Sequence, residues 1–84
     1  MRYALSHTHA PDDCGVSYAA WRGFDSRLRH EPTLATCAQE GSSGEDHVVL
    51  WTVEAASPAE ALGLLPQWLA ERTEARPVDE VAIP

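Results

Sequence analysis

His47-Val48-Val49-Leu50-Trp51-Thr52-Val53-Glu54-Ala55 is the stretch that decides the fold. Its β-branched and aromatic residues make it the strongest strand candidate in the chain. Alternation places Val49, Trp51 and Val53 on one face and Val48, Leu50 and Thr52 on the other. Apolar side chains on both faces require cover on both, one side from helices and the other from something else.

Downstream, Ser57-Pro58-Ala59-Glu60 is a capping box with proline at the first helical position. The helix it opens carries an apolar stripe at Ala61, Leu62, Leu65, Trp68 and Leu69, with Leu64 off the stripe. Pro66 removes the bond to the Leu62 carbonyl, which predicts a kink or a break into two short helices. Pro77 to Ile83 is expected to close the chain as a last strand.

Upstream, Gly41-Ser42-Ser43-Gly44 is a turn signal, preceded by a weaker strand candidate of small residues from Thr33 to Gln39. Gly23 to Pro32 has no period and is expected to connect. Arg2 to Thr8 predicts a first strand, with Tyr3, Leu5 and His7 on one face and Ala4, Ser6 and Thr8 on the other. Pro11 then suits a helix start, and Asp12 and Asp13 complement the dipole of its first turn. The spacing of Val16, Ala19, Ala20, Gly23 and Phe24 predicts the core stripe of that helix, flanked by Cys14, Tyr18 and Trp21, with an end near Gly23.

The order strand, helix, strand, strand, helix, strand predicts one α+β domain over residues 1–84. It is that of a ferredoxin-like βαββαβ sandwich, with a four-stranded antiparallel sheet and both helices on one face. The bare face, with Val48, Leu50 and Thr52 or else Val49, Trp51 and Val53, would be exposed in a monomer and predicts pairing with a second copy. A chain of 84 residues buries a modest core, which points the same way.

Composition narrows the partners. The formal charge of -7 argues against nucleic acid or an anionic membrane surface. All positive side chains are arginines; three of them against one aspartate between Arg22 and His30 make a local +2, leaving -9 elsewhere. No apolar run approaches the ~18 residues of a spanning helix, and Met1 to Leu5 is followed at once by polar residues. The cytoplasm is therefore the expected location, where Cys14 and Cys37 are expected free or metal-bound rather than joined.

The densest chemistry lies in Ser6-His7-Thr8-His9-Ala10-Pro11-Asp12-Asp13-Cys14, at the junction of first strand and first helix. The expected topology sets the start of the third strand beside the end of the first, which brings His47 to His7 and His9. If the Gly41–Gly44 turn is symmetric, Cys37 sits diagonal to His47, with Cα atoms roughly 7–8 Å apart; a one-residue slip would separate them. His7, His9, Cys14, Cys37 and His47 are thus the candidate ligands, and their nitrogen and sulfur atoms suit zinc, copper(I) or nickel. The plainer alternative leaves the histidines as solvated strand ends and the cysteines as small core fillers. A Cys14–His9 or Cys14–His47 pair also has the composition of a nucleophile and base, though no oxyanion-stabilising motif accompanies it.

A second hypothesis is a small-molecule cavity, with or without catalysis. Trp51 and the other large aromatics Tyr3, Tyr18, Trp21 and Trp68 offer lining, and Arg27 and Arg29 could hold an acidic group at its mouth. Aromatics at these spacings also serve simply as core. A dimerisation module without a ligand is the third possibility.

The layout resembles the small dimeric α+β barrel proteins, such as muconolactone isomerases, antibiotic-biosynthesis monooxygenases and a small nickel-binding family. The likeness covers the whole chain as topology, including Leu65-Pro66 in the second helix. The motifs are more similar to small uncharacterised prokaryotic proteins with an early His-x-Pro-x-x-Cys, then a His shortly before a Val-Glu-Ala strand end. Here these are His9-Ala10-Pro11-Asp12-Asp13-Cys14 and His47 ahead of Val53-Glu54-Ala55. The resemblance implies two sheets packed face to face around a cavity, as a homodimer or a higher assembly.

Overall fold

His47–Glu54 forms strand β3, and in the computed structural model it lies at the centre of a four-stranded antiparallel sheet. The structure describes residues 1–31, 33–37 and 45–84; the Gly41–Gly44 turn and the end of the Thr33–Gln39 segment lie outside them. Strand β1, Arg2–His9, pairs with β3 along its whole length, from Arg2 opposite Glu54 to His9 opposite His47. Strand β2, Leu34–Ala35, pairs with the other edge of β3, and β4, Thr73–Pro77, with the other edge of β1. The order across the sheet is β2-β3-β1-β4, and the domain is α+β.

The period-2 pattern of β1 is realised as buried Tyr3, Leu5, His7 and His9. On β3 the same layer is continued by His47, Trp51 and Val53. Helix α2, Pro58–Leu62, and helix α3, Gln67–Ala70, cover this layer with buried Ala61 and Leu69, joined by buried Leu65 from the connection between them. The Ser57 hydroxyl accepts from the Glu60 amide at 3.1 Å, the capping bond its spacing predicts. Pro66 stands at the entry to α3 and divides the expected helix into two short ones. A 3-10 turn over Arg27–His30 adds buried Leu28 to the core. Its entry is fixed by Ser26, whose hydroxyl donates to the Leu64 carbonyl at 2.7 Å.

Two elements differ from the sequence expectation. The last strand is Thr73–Pro77 rather than Pro77 to Ile83, and Val81 and Ile83 are exposed. Glu74, Ala75 and Arg76 favour helix intrinsically, but pairing with the free edge of β1 overrides propensity. Helix α1, Cys14–Ala20, follows a 3-10 turn at Pro11–Asp13 and is rotated from the expected stripe. Val16 and Ala19 face solvent, whereas Cys14, Ser17, Ala20 and Trp21 are half-buried. The Trp21 ring packs on Trp51 at 6.4 Å and on Phe24 at 6.1 Å. Burying an indole outweighs burying a valine and an alanine, so Cys14 and Trp21 of the flanking stripe turn inward, while Tyr18 stays 79% exposed. Gly23, with φ of 72°, ends the turn after α1 in a conformation that suits glycine.

Among the described residues, no helix lies on the opposite sheet face. Leu34 and Leu50 are directly paired across β2 and β3, at 73% and 43% exposure. Among the described residues, no helix is long and apolar enough to cross a membrane.

A candidate metal centre at one end of the sheet

Antiparallel pairing of β1 with β3 puts His9 directly opposite His47 at the sheet's end. Their rings meet edge to face, with centroids 5.5 Å apart. The chain leaves β1, turns at Pro11 and delivers Cys14 in the first turn of α1 onto the same end. The fourth contributor arrives from the far edge. The register Leu34↔Leu50 and Ala35↔Val49, continued by two residues, sets Cys37 level with His47 rather than diagonal to it. Thr36 holds this approach: its amide donates to the Val48 carbonyl at 3.0 Å and its hydroxyl accepts from the Val48 amide at 2.9 Å.

The ligating atoms of His9, Cys14, Cys37 and His47 all lie within 4.8 Å of one another. Cys14 Sγ and Cys37 Sγ stand 3.6 and 3.5 Å from His9 Nε2, and Cys14 Sγ is 3.1 Å from His47 Nδ1. Zinc bonds of about 2.0–2.1 Å to nitrogen and 2.3 Å to sulfur at a tetrahedral angle require nitrogen and sulfur to be about 3.5 Å apart. The two His9–sulfur separations meet that requirement. Both histidines are buried and both cysteines are free thiols, half-buried. The arrangement can therefore hold a metal ion with two nitrogen and two sulfur donors.

His7 lies behind this set, outside it, and sets its chemistry. The Thr73 hydroxyl donates to the Leu69 carbonyl at 2.6 Å, since a carbonyl can only accept. The same oxygen, 3.3 Å from His7 Nδ1, then accepts from that ring nitrogen. His7 Nε2 is left as an acceptor, and His9 Nδ1, 2.9 Å away, donates to it. His9 is thereby fixed as the tautomer with Nε2 bare, the atom that faces both sulfurs. Metal-bound histidines commonly use their second nitrogen in this way. Here the partner is another imidazole.

The electrostatics favour the neutral forms of His7 and His9. Burial lowers the His7 pKa, aided by the charge of a protonated His9, while the carbonyls of Leu69 and Arg72 oppose it. Burial also lowers His9, helped by His47 and opposed by Asp13 and Asp46. Burial pushes the Cys37 thiol up, and the Cys14 sulfur beside it adds to this. A divalent cation removes that last penalty by binding the thiolate. Trp68 walls the site, its centroid 5.9 Å from His7 and 6.4 Å from His9, with the Arg72 guanidinium stacked on it at 4.1 Å.

Of the residues singled out for ligand binding, Trp51 and Arg29 line a cavity that adjoins the cluster. Arg27 is not among its lining residues; its guanidinium donates to the Glu54 carbonyl. Thr73 gave no signal in the sequence, and Arg22 only its share of the local positive charge between Arg22 and His30. Only the pairing of β4 with β1 and the rotation of α1 show where they lie. No protein-family model, no characterised protein and no solved structure matches this chain.

Proposed function

We propose that this is a small transition-metal-binding protein in which His9 Nε2, His47 Nδ1, Cys14 Sγ and Cys37 Sγ take the ion. The observation that carries this reading is the convergence of four nitrogen and sulfur atoms from three separate parts of the chain within 4.8 Å. Among zinc, copper(I) and nickel, zinc suits it best. Two thiolates and two neutral imidazoles balance a +2 charge in a half-buried place, and mixed sulfur–nitrogen tetrahedra are characteristic of zinc. Four protein donors complete that coordination, which favours a structural, storage or transfer role over hydrolytic catalysis.

The strand order and the two crossovers support reading the domain as a ferredoxin-like sandwich. Exposed Leu34 and Leu50 on the helix-free face support a homodimer formed through it. A reducing cytoplasm would keep both thiols available.

The test is metal analysis of tag-free protein after zinc loading and desalting, with His9→Ala and Cys14→Ser alongside. One zinc per chain is expected for the wild type, and a substoichiometric amount for each variant. Wild type that retains no zinc would refute the reading.

A further inference from the structure

A cavity of about 480 Å³ opens between α1, the Arg27–His30 turn and the sheet. Its volume is ordinary for a small-molecule site. Trp21 and Trp51 give it an aromatic wall, and Leu28, Val49 and Leu69 an apolar floor. Two features mark it out from an incidental gap. In a chain with 13 acidic residues, the described residues that line it include Arg22 and Arg29 and no carboxylate. Moreover, Arg22 is the one arginine of six whose side chain has neither a hydrogen bond nor an ion pair among the described residues. Arg2 and Arg76 pair with glutamates, Arg72 with Glu71, and Arg27 and Arg29 donate to carbonyls.

We infer that this cavity binds a small aromatic carboxylate, its ring laid along Trp21 and Trp51 and its carboxyl group held by Arg22 and Arg29. An apolar body needs the indole and leucine surfaces, and a planar anion needs the guanidinium fork. The local positive charge attracts anions that the rest of this acidic surface repels. His9 and Cys37 form part of the same wall, so a bound carboxylate lies beside the candidate metal centre. The cavity's own residues are sufficient for binding, whether or not a metal is present.

The experiment titrates 2-naphthoate and uncharged 2-naphthamide into zinc-free and zinc-loaded protein, with NMR of the three indole N–H groups and calorimetry as readouts. Naphthoate is expected to bind both forms, to shift Trp21 and Trp51 more than Trp68, and to exceed naphthamide by about tenfold in affinity. Arg22→Gln is expected to weaken naphthoate about tenfold, with Arg29→Gln in the same direction and the exposed Arg76→Gln without effect. Equal binding of naphthoate and naphthamide would overturn the inference, as would an Arg76→Gln loss matching that of Arg22→Gln. Binding confined to the zinc-loaded form would assign the carboxylate to the metal and equally overturn it.

Discussion

Two halves of one strand divide the labour of this molecule. The buried face of β1 begins with Tyr3 and Leu5 and ends with His7 and His9. All four side chains are out of water, yet they are held there by different means. Tyr3 and Leu5 meet Trp51, Val53, Ala61 and Leu65 in a core that gains from burial under any condition. His7 and His9 meet each other, Thr73, His47 and two thiols, so their stability depends on proton occupancy and, in the proposed zinc form, on the ion. One half holds the fold; the other makes part of it conditional.

The sharpest way to break that contrast is at the ligands. His9→Ala is expected to remove stoichiometric zinc, while far-ultraviolet circular dichroism of the zinc-free variant stays close to that of the zinc-free wild type. A variant that unfolds outright would place His9 on the structural side of the division. Leu5→Ala is the reciprocal change. Leu5 has no exposed surface, and truncation is expected to cost about 2–5 kcal/mol by denaturant unfolding, whether or not zinc is present.

Next in size is the relay behind His9. Thr73→Val removes the hydroxyl between the Leu69 carbonyl and His7, and is expected to weaken zinc by about 10–100-fold in a chelator competition. In the zinc-free protein the same variant should alter the His9 ring ¹⁵N shifts, which report its tautomer. Unchanged shifts and affinity would detach Thr73 and His7 from the site.

The pH dependence has a definite sign. The folded-state pKa values of His7 and His9 lie below the ordinary 6.5, so the native state favours their neutral forms. Their contribution is fully present above about pH 6.5 and is lost as pH falls below it towards the folded values. Zinc-free protein should therefore lose stability on acidification through that range, and zinc-loaded protein should release its ion, since protons compete for both kinds of donor. A zinc-free protein equally stable across that range would contradict the histidine assignment. The smallest effect is expected at Ser57→Ala, which removes the α2 cap, costs about 1 kcal/mol and leaves zinc affinity unchanged.

How much of this could be read in the sequence follows the same division. The two long strands, the Ser57 cap and the break at Pro66 are written locally, in alternation and in backbone chemistry. The convergence of His9, Cys14 and His47 followed once β1 was placed antiparallel to β3. Other features depend on competition between distant parts. Thr73–Pro77 is a strand because the edge of β1 needs a partner, although Glu74 to Arg76 have the character of a helix. The face of α1 is chosen by Trp21 meeting Trp51, a contact invisible in the spacing of Val16 and Ala19. The role of His7 as the partner of His9 rests on a hydroxyl 66 residues away. Such a contact leaves no local pattern.

X-ray absorption at the zinc edge of the stoichiometrically loaded protein reads the ligand set itself. A four-coordinate shell of two sulfur atoms at about 2.3 Å and two imidazole nitrogens at about 2.0–2.1 Å is expected, with one sulfur lost in Cys37→Ser. A shell of oxygen and nitrogen alone, with no sulfur, would contradict it.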